Sequence, residues 1–412
     1  MTPRWLTHPA RLWLAFIAAH VWLIWLGMMV VPGALGDLFG VYRFWVDTAL
    51  GGGPLVGITT PWVYPPLALV PMFVPAIVGS NGYVLAWLVM VTIGDLIAFF
   101  YLIRGFTRPA PRALAAWWWT GALVALGPVA LGRLDSVVTP LAIWALLFVL
   151  TRPRLAGVLM AFGAWIKVWP GAILIAAILV AQRRWRILVA FVVTSAVVLG
   201  AALAAGAGTN ALSFIGYQNS RGLQIESPSA TWFMWLAGSG TGSAQVYFDN
   251  DMLTYQVTGP GSTLVASTMT WLMVVAVLAT VALTALGARR DVAPVRLLPA
   301  ATLALVMALI AFNKVGSPQY FVWLVPPIVA GLIIDRRRFS PIAAVALVAT
   351  LLTQVIYPWI YVDIIEVRVG GLLLLTVRNA LELVLFAWAL VLVVRPRSRA
   401  DVRAGIQRRH SR

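Results

Sequence analysis

The segment from Gly36 to Arg43 holds the first residues whose types can do chemistry, and it follows directly on a long apolar run. Asp37 stands there with Tyr42 and Arg43, and Tyr64 follows after a run of glycines. A carboxylate beside aromatic rings at a membrane boundary is costly to desolvate unless it has a partner. We therefore treat Asp37 as a functional candidate. The alternative is an aspartate that caps the start of an interfacial helix.

A second motif, Gly132-Arg133-Leu134-Asp135-Ser136, lies between two apolar runs. The guanidinium of Arg133 is suited to a phosphate, and the carboxylate of Asp135 to a sugar hydroxyl. The same two side chains can instead form a structural ion pair at a tight turn. The sequence leaves both interpretations open.

Lys167 and Lys314 are the only lysines among 30 cationic residues, and both lie away from the arginine clusters. An ammonium group is a compact charge suited to phosphate, and its burial in apolar surroundings is costly without an anion. Both residues are therefore candidate phosphate ligands. The alternative is a side chain that snorkels to the membrane interface, which applies to Lys314 more than to Lys167.

A polar stretch in the second half of the chain combines amide, carboxylate and guanidinium groups with aromatic rings. Arg221, Gln224 and Glu226 belong to it, and Trp232 and Trp235 follow. Such a mixture suits a polyol, because the apolar faces of a sugar stack on rings while its hydroxyls need directed hydrogen bonds. Aromatic residues also populate membrane interfaces in general, so the rings alone do not indicate a sugar site.

Gln319, in Ser317-Pro318-Gln319-Tyr320, is a neutral donor and acceptor that begins an apolar run. An ordinary polar helix start is the alternative interpretation. The chain has no cysteine, and no histidine lies in the predicted outer segments. The carboxylates could in principle bind a hard cation, but no spacing supports this, so we predict neither a metal nor a cofactor.

The elements that must position these residues are membrane helices. Of 412 residues, 61% are hydrophobic and 10% are charged, which is outside the composition of soluble globular proteins. Apolar runs of about 20 residues recur along the whole chain, so we predict a single all-α polytopic domain over residues 1–412 with roughly ten to twelve crossings. The first run, from Leu12 to Pro32, is too long for a signal peptide and lacks a small-residue cleavage site, so we expect it to be retained.

The net charge of +17 indicates orientation and not a nucleic-acid partner, because the arginines cluster in short segments between the apolar runs. Such clusters mark cytoplasmic loops. They predict that residues 35–62 and 207–262 are extracytoplasmic loops and that residues 395–412 are a basic cytoplasmic tail. The protein is then a multi-pass protein of the cell membrane with its site on the extracytoplasmic face.

Two runs in the first half do not fit a simple alternation of crossings. An even number of crossings must separate Arg11 from Arg104, so the Pro-rich run from Val63 to Val78 is predicted to be re-entrant or interfacial. The run from Leu155 to Val180 is either one long span or two short halves that meet near Lys167.

The order of these motifs along most of the chain resembles glycosyltransferase family eighty-seven. The resemblance rests on Asp37 with Tyr42-Arg43, Tyr64-Pro65-Pro66, the Arg133 motif, Lys167 with Pro170, and the stretch from Arg221 to Ser227. These are GT-C-fold enzymes of actinobacteria, similar to the polyprenol-phosphate-mannose-dependent α-(1→2)-mannosyltransferases. Each motif is weak alone, and their order carries the resemblance.

The resemblance implies transfer of a hexose, most often mannose, from a polyprenyl-phosphate donor to a glycolipid or glycan acceptor, with inversion at the anomeric carbon. Asp37 would be the general base, and Lys167, Arg133 or Arg221 would hold the donor phosphate. Related mannosyltransferases can carry a histidine in the outer loop of the second half, where this chain offers Gln319. If the positions correspond, a histidine-assisted step is lost.

Two other classes remain open from the sequence. A transporter or flippase for a lipid-linked sugar also has many helices and intramembrane charges, but these should lie near the bilayer midplane. A non-catalytic scaffold that binds lipid-linked sugar would carry the same motifs. The identity of the sugar and of the acceptor is not encoded in any of the motifs.

Overall fold

The computed structural model describes residues 7–104, 109–216, 221–250, 252–290 and 293–395. Of the predicted basic tail, only Arg395 falls within these ranges, so the tail itself lies outside the described residues.

The described chain is almost entirely helical, as the composition predicts. The α-helices are α1 Pro9–Trp25, α2 Arg43–Leu50, α3 Leu69–Phe73, α4 Tyr83–Arg104, α5 Pro109–Leu126, α6 Leu134–Phe148, α7 Pro153–Ile166, α8 Gly171–Val180, α9 Arg184–Ala204, α10 Ser213–Gly216, α11 Thr231–Gly238, α12 Ser262–Ala288, α13 Pro294–Ala311, α14 Val325–Ile334, α15 Arg336–Gln354, α16 Tyr361–Ile365 and α17 Val369–Val394. Short 3₁₀ and π-helical turns extend several of them, including Leu26–Val30, Asp37–Tyr42, Pro318–Leu324 and Val355–Trp359.

Eight helices among the described residues are long and apolar enough to cross a membrane. They are Pro9–Val30, Ser80–Arg104, Ala110–Ala130, Arg184–Ala204, Ser262–Ala288, Pro294–Ala311, Arg336–Trp359 and Val369–Val394. Five shorter apolar helices accompany them. The chain is therefore a polytopic all-α membrane protein, and the predicted ten to twelve crossings would require some of the shorter helices to contribute.

Both irregular runs of the first half are short helices. Pro66–Val78 is divided into three short helical turns, because its prolines interrupt the hydrogen-bond ladder, and it is not among the eight long helices. The run around Lys167 forms two helices, α7 and α8, that meet at that residue, which confirms the second of the two alternatives. Lys167 itself has extended backbone dihedrals, and Pro170 immediately precedes α8.

A small sheet interrupts the helical pattern in the predicted long loop. Strands β1 Leu223–Gln224, β2 Gln245–Asp249 and β3 Thr254–Thr258 are antiparallel in the order β1-β3-β2. Its register pairs Gln224 with Gln256, which in turn lies opposite Tyr247. The sheet fixes the place where the chain enters the stretch from Arg221 to Ser227.

The helix ends divide the polar residues into two sets. Arg104 ends α4, Arg184 and Arg336 begin α9 and α15, and Arg395 follows α17. The candidate site residues follow the opposite ends of α5, α7, α13 and α15. The packed helices thus gather the motifs at one end of the bundle, where a buried apolar cluster formed by the sheet and the start of α17 supports them.

Candidate active site

A cavity of about 780 Å³ occupies this end of the bundle and brings most of the predicted motifs together. Eight of the predicted site residues line it, and they come from six separate stretches of the chain. These are Asp37, Tyr64, Arg133, Lys167, Arg221, Gln224, Glu226 and Gln319.

Asp37 and Arg133 both line the cavity, and their side chains form an ion pair. A nitrogen of the Arg133 guanidinium lies 3.0 Å from an oxygen of the Asp37 carboxylate, and the Asp37 side chain remains 31% exposed. Gly132 permits this approach, because a Cβ at that position would collide with the side chain of Leu35. Burial lowers the pKa of Arg133, but Asp37 together with Tyr357, Tyr42 and Tyr64 outweighs burial, so the pKa is raised. The cation is therefore firmly held beside a carboxylate that is still open to the cavity.

The predicted alternative of an ion pair between Arg133 and Asp135 is wrong, because each residue has another partner. Asp135 is buried in the first turn of α6, where Lys167 lies 3.3 Å from one of its oxygens. The indole nitrogen of Trp323 donates a hydrogen bond of 2.7 Å to the other oxygen. Asp135 therefore lies behind the cavity wall, where its carboxylate forms an ion pair with Lys167. It is not itself open to a sugar hydroxyl.

Lys167 contacts aromatic as well as acidic groups. Its ammonium lies 4.5 Å from the centre of the Tyr64 ring, a cation–π distance. Trp169 stacks on Trp323 with ring centres 5.8 Å apart, and Tyr320 contacts Trp323 at 4.2 Å. Lys167 and the large aromatic rings around it thus form one wall of the cavity.

The stretch from Arg221 to Ser227 forms the facing wall, and its main chain is tied on one side to the segment after α13. The amide of Gln224 donates to the carbonyl of Lys314 at 3.0 Å, and the amide of Gly316 donates to the Gln224 side chain at 3.2 Å. Gly316 is required there, since a Cβ would meet the main chain of Glu226. The amide side chain of Gln224 is therefore a structural link as well as part of the lining.

Glu226 is 2% exposed, and burial raises the pKa of its carboxyl to about 7. A hydrogen bond with Tyr361 and the nearby charge of Arg378 oppose that rise in part. A carboxyl with such a pKa can be protonated or ionised at neutral pH, so the charge of this wall depends on pH.

Lys314 is 7% exposed and lines the cavity. It therefore does not snorkel to a membrane interface, which was the alternative interpretation. Burial and the nearby positive charge of Arg221 both lower the pKa of Lys314. Two cations that face one cavity repel each other, and an anion between them would relieve that repulsion.

Tyr42 and Arg43 do not line the cavity. Tyr42 is fully buried, with its ring packed on Tyr64 and Trp87, so it supports the wall from behind. Arg43 begins α2 outside the cavity lining, which gives no support to its predicted role in binding. Asp37 forms no side-chain hydrogen bond that caps a helix within the described turn, and its partner is Arg133.

Several lining residues were absent from the sequence prediction. Tyr357 and Tyr361 come from the segment after α15, and Tyr357 forms a hydrogen bond with Arg133 and donates another to the carbonyl of Gly33 at 2.9 Å. Phe248 and Tyr255 come from the hairpin of β2 and β3. Tyrosines beside a proline at a helix end, and aromatic strand residues in a polar loop, were the available signals.

The arrangement combines two carboxyl groups, those of Asp37 and Glu226, with several cations and many aromatic faces in a single cavity. Such a site is suited to a ligand that is anionic at one point and carries hydroxyl groups and apolar surface elsewhere. Within the described ranges, no group of three histidine, cysteine, aspartate or glutamate side chains is placed to hold a metal ion.

Comparison with known proteins gives a match to one family model. The model described as Glycosyltransferase family 87 matches residues 62–318, which is more than half of the chain. That segment includes Arg133, Lys167 and Arg221, whereas Asp37 precedes it. No curated protein and no solved structure matches the chain.

Proposed function

We propose, from the fact that this chain belongs to glycosyltransferase family 87, that it transfers mannose from a polyprenyl-phosphate donor to a hydroxyl of a cell-envelope glycolipid or glycan. The observation that carries the proposal is the cavity in which the Asp37 carboxylate lies on a wall shared with Arg133, and Lys167 and Arg221 line the same space. We further propose that this cavity opens on the extracytoplasmic face, because it lies at the helix ends opposite the arginine clusters.

In the proposed step, the acceptor hydroxyl oxygen attacks the anomeric carbon of the donor sugar. Its proton passes to the Asp37 carboxylate as the new carbon–oxygen bond forms. The bond from the anomeric carbon to the phosphate oxygen breaks, and its electron pair leaves with the polyprenyl phosphate. Attack from the face opposite the leaving group inverts the anomeric carbon.

The cations supply what the leaving group needs. The phosphate gains one negative charge as the sugar departs, and ammonium and guanidinium groups in a cavity shielded from water stabilise that charge. Lys167 and Arg221 are the donor-phosphate ligands in this proposal. Arg133 instead orients the Asp37 carboxylate toward the acceptor, since the two groups are 3.0 Å apart.

The polyprenyl donor is supported by the apolar part of the lining. Met273 of α12 and Leu309 and Phe312 around the end of α13 face the same cavity as the cations. A lipid-linked sugar phosphate requires such a junction between charged and apolar surface. Mannose is the first sugar to test because it is the most frequent one in the family that the chain resembles.

The test is transfer of labelled mannose from polyprenyl-phosphate-mannose to envelope lipids in membranes that contain the wild-type protein, Asp37→Asn or Asp47→Asn. Asp47 is an exposed aspartate that bonds to Ser80 outside the cavity lining, so it controls for the chemical change itself. We expect Asp37→Asn to lose about 100-fold or more of the rate, the usual contribution of a general base, and Asp47→Asn to keep it.

Folded protein and abundance are measured for all three. Equal transfer by wild type and Asp37→Asn would refute the role of Asp37 as the general base. If the wild-type protein transfers no sugar across a range of donors and acceptors, transport or scaffolding becomes the better explanation of the cavity.

A further inference from the structure

Three polar residues of α17 lie inside the bundle, and no step of the proposed reaction uses them. Arg378, Asn379 and Glu382 are 2%, 3% and 1% exposed, in a helix that is otherwise long and apolar enough to cross a membrane. Buried charges in such a helix are costly, so their retention indicates a specific task.

Arg378 bridges two groups that are both buried. One terminal nitrogen donates to the Glu382 carboxylate one turn further along, at 2.6 Å. The other donates to the main-chain carbonyl of Glu226 at 2.8 Å, across 152 positions of sequence. The ion pair with Glu382 therefore fixes the guanidinium so that its second donor meets the cavity loop.

Asn379 extends the same link to the next residue of the loop. Its side-chain nitrogen donates to the Ser227 carbonyl at 3.3 Å and to the Thr231 hydroxyl at 2.8 Å. Side chains of α17 therefore donate hydrogen bonds to the carbonyls of Glu226 and Ser227. Gln224 is hydrogen-bonded to the segment from Lys314 to Gly316. The stretch from Arg221 to Ser227 is therefore clamped between two elements.

We propose that Arg378 is a positioning residue for sugar transfer: through the carbonyl of Glu226 it fixes the wall of the cavity that carries Arg221, Gln224 and the Glu226 carboxyl. The proposal rests on the proposed function, because it assigns that wall to the donor phosphate. Arg378 does not line the cavity, so its effect on substrate passes through the loop.

The geometry also makes Arg378 the charged neighbour of Glu226. The groups that face the Glu226 carboxyl are Arg378 from α17, Tyr361 from α16, Tyr357 from the turn after α15, and Gln224 of its own loop. Arg378 is the cation among them. Its removal should therefore raise the pKa of Glu226 above its present value of about 7.

This charge has a consequence for the donor. Ionised Glu226 places a negative charge on the same wall as the donor phosphate, so donor binding should weaken as pH rises through the Glu226 pKa. The KM for the donor then increases with pH in the wild-type enzyme, and Glu226→Gln removes that increase.

The experiment compares wild type with Arg378→Gln, Arg378→Lys and Asn379→Ala. In Arg378→Gln we expect the donor KM to rise about tenfold, the effect of one lost charge-assisted hydrogen bond, with kcat less affected. In the same variant, the rise of the donor KM with pH should occur about one pH unit or more higher than in the wild type. Asn379→Ala loses an anchor but no charge, so its KM should rise without a displacement of the pH profile.

Arg378→Lys serves if Arg378→Gln does not fold. It keeps the charge but not the two-pronged geometry, so we expect a raised KM with the wild-type pH profile. A wild-type KM in Arg378→Lys would overturn the positioning role. So would an unshifted pH profile in folded Arg378→Gln.

An infrared titration separates failure of this proposal from failure of the proposed function, because it needs no substrate. The protonated carboxyl band that Glu226→Gln removes should titrate near pH 7 in the wild type. The band removed by the same change in the Arg378→Gln background should titrate about one unit higher. If the wild type transfers no sugar and this displacement is still seen, the proposed function fails while the link between Arg378 and Glu226 stands; equal titration in both backgrounds refutes that link.

Discussion

At the scale of single residues, partner choice decides what each carboxylate can do. Asp135 has a cation, an indole donor and almost no exposed surface, so its capacity for further contacts is nearly exhausted. Asp37 has one cation on one side and the cavity on the other. Two aspartates that look equivalent in the sequence therefore have different roles: one supports Lys167, and the other can meet a substrate.

Glu226 gives a prediction about stability at this scale. Its pKa is raised from its ordinary value to about 7, so between about pH 4.5 and 7 the folded protein retains a proton that the unfolded chain has released. Stability should therefore fall as pH rises through that window and level off above it. Between pH 5.5 and 8 the expected loss is about 2 kcal/mol.

The measurement is the apparent Tm of the detergent-solubilised protein at pH 5.5 and 8, for wild type and Glu226→Gln. The uncharged glutamine should lose less stability over the same interval, because the other titrating groups are common to both proteins. An identical loss in the two proteins would show that Glu226 is not the group responsible.

At the scale of elements, close approach of main-chain segments builds the site. The loop from Arg221 to Ser227, the segment after α13 and helix α17 come from distant parts of the chain. Main-chain amides and the side chains of Arg378 and Asn379 connect them by donating hydrogen bonds to main-chain carbonyls. Such contacts depend on small residues where two backbones approach. Gly132 and Gly316 occupy two of these places.

Gly316→Ala tests the contact between the segment after α13 and the loop. The added methyl group would collide with the main chain of Glu226 and Ser227, so one of the two segments must move. We expect a loss of about 1–3 kcal/mol of stability, together with reduced sugar transfer. Apparent Tm and transfer rate in the same preparation measure both effects.

Gly370→Ala is the matched control. A Cβ at Gly370 meets nothing within 4 Å, and the residue is exposed in the first turn of α17. It should therefore leave stability unchanged or slightly increased. If Gly316→Ala behaves as Gly370→Ala does, the close contact with Glu226 is not needed to hold the loop.

At the scale of the whole molecule, the orientation in the membrane is a prediction that the chain is well suited to test. It contains no cysteine, so single cysteines can be introduced without removing any. Thr241 is exposed in the predicted outer loop, and Gln182 is exposed beside the arginines at the start of α9. We expect a membrane-impermeant maleimide to label Thr241→Cys in intact cells and Gln182→Cys only after permeabilisation. The reverse pattern would place the cavity on the cytoplasmic face and contradict the proposed location of the reaction.

Most of the helices could be predicted from the sequence, because a span must satisfy its backbone hydrogen bonds internally and must be apolar over its length. In the second half of the chain, the apolar runs of the sequence correspond to α9, α12, α13, α14 with its preceding turn, α15 and α17. The division of the run around Lys167 into α7 and α8 was left undecided, since hydropathy does not distinguish one long helix from two short ones. The small sheet was not predicted either, because its strands are short and lie in a polar loop.

The site was predicted in its residue types but not in its pairings. Arg378, Asn379 and Glu382 were missed although a charged residue inside an apolar run is itself a functional signal. They lie inside the last apolar run, whereas the predicted motifs lie near the predicted outer loops. Their contact with Glu226 spans 152 positions, and no local pattern contains it.

The sequence by itself determined that this protein is a polytopic membrane protein with its distinctive polar residues at one end of the bundle, because hydrophobicity and arginine placement act locally along the chain. Only the tertiary structure decided that Arg133 pairs with Asp37, that Asp135 supports Lys167, and that Arg378 holds the loop of Glu226. These choices depend on which helices become neighbours. A buried charge takes the partner that packing brings within hydrogen-bond distance, whatever their separation along the chain.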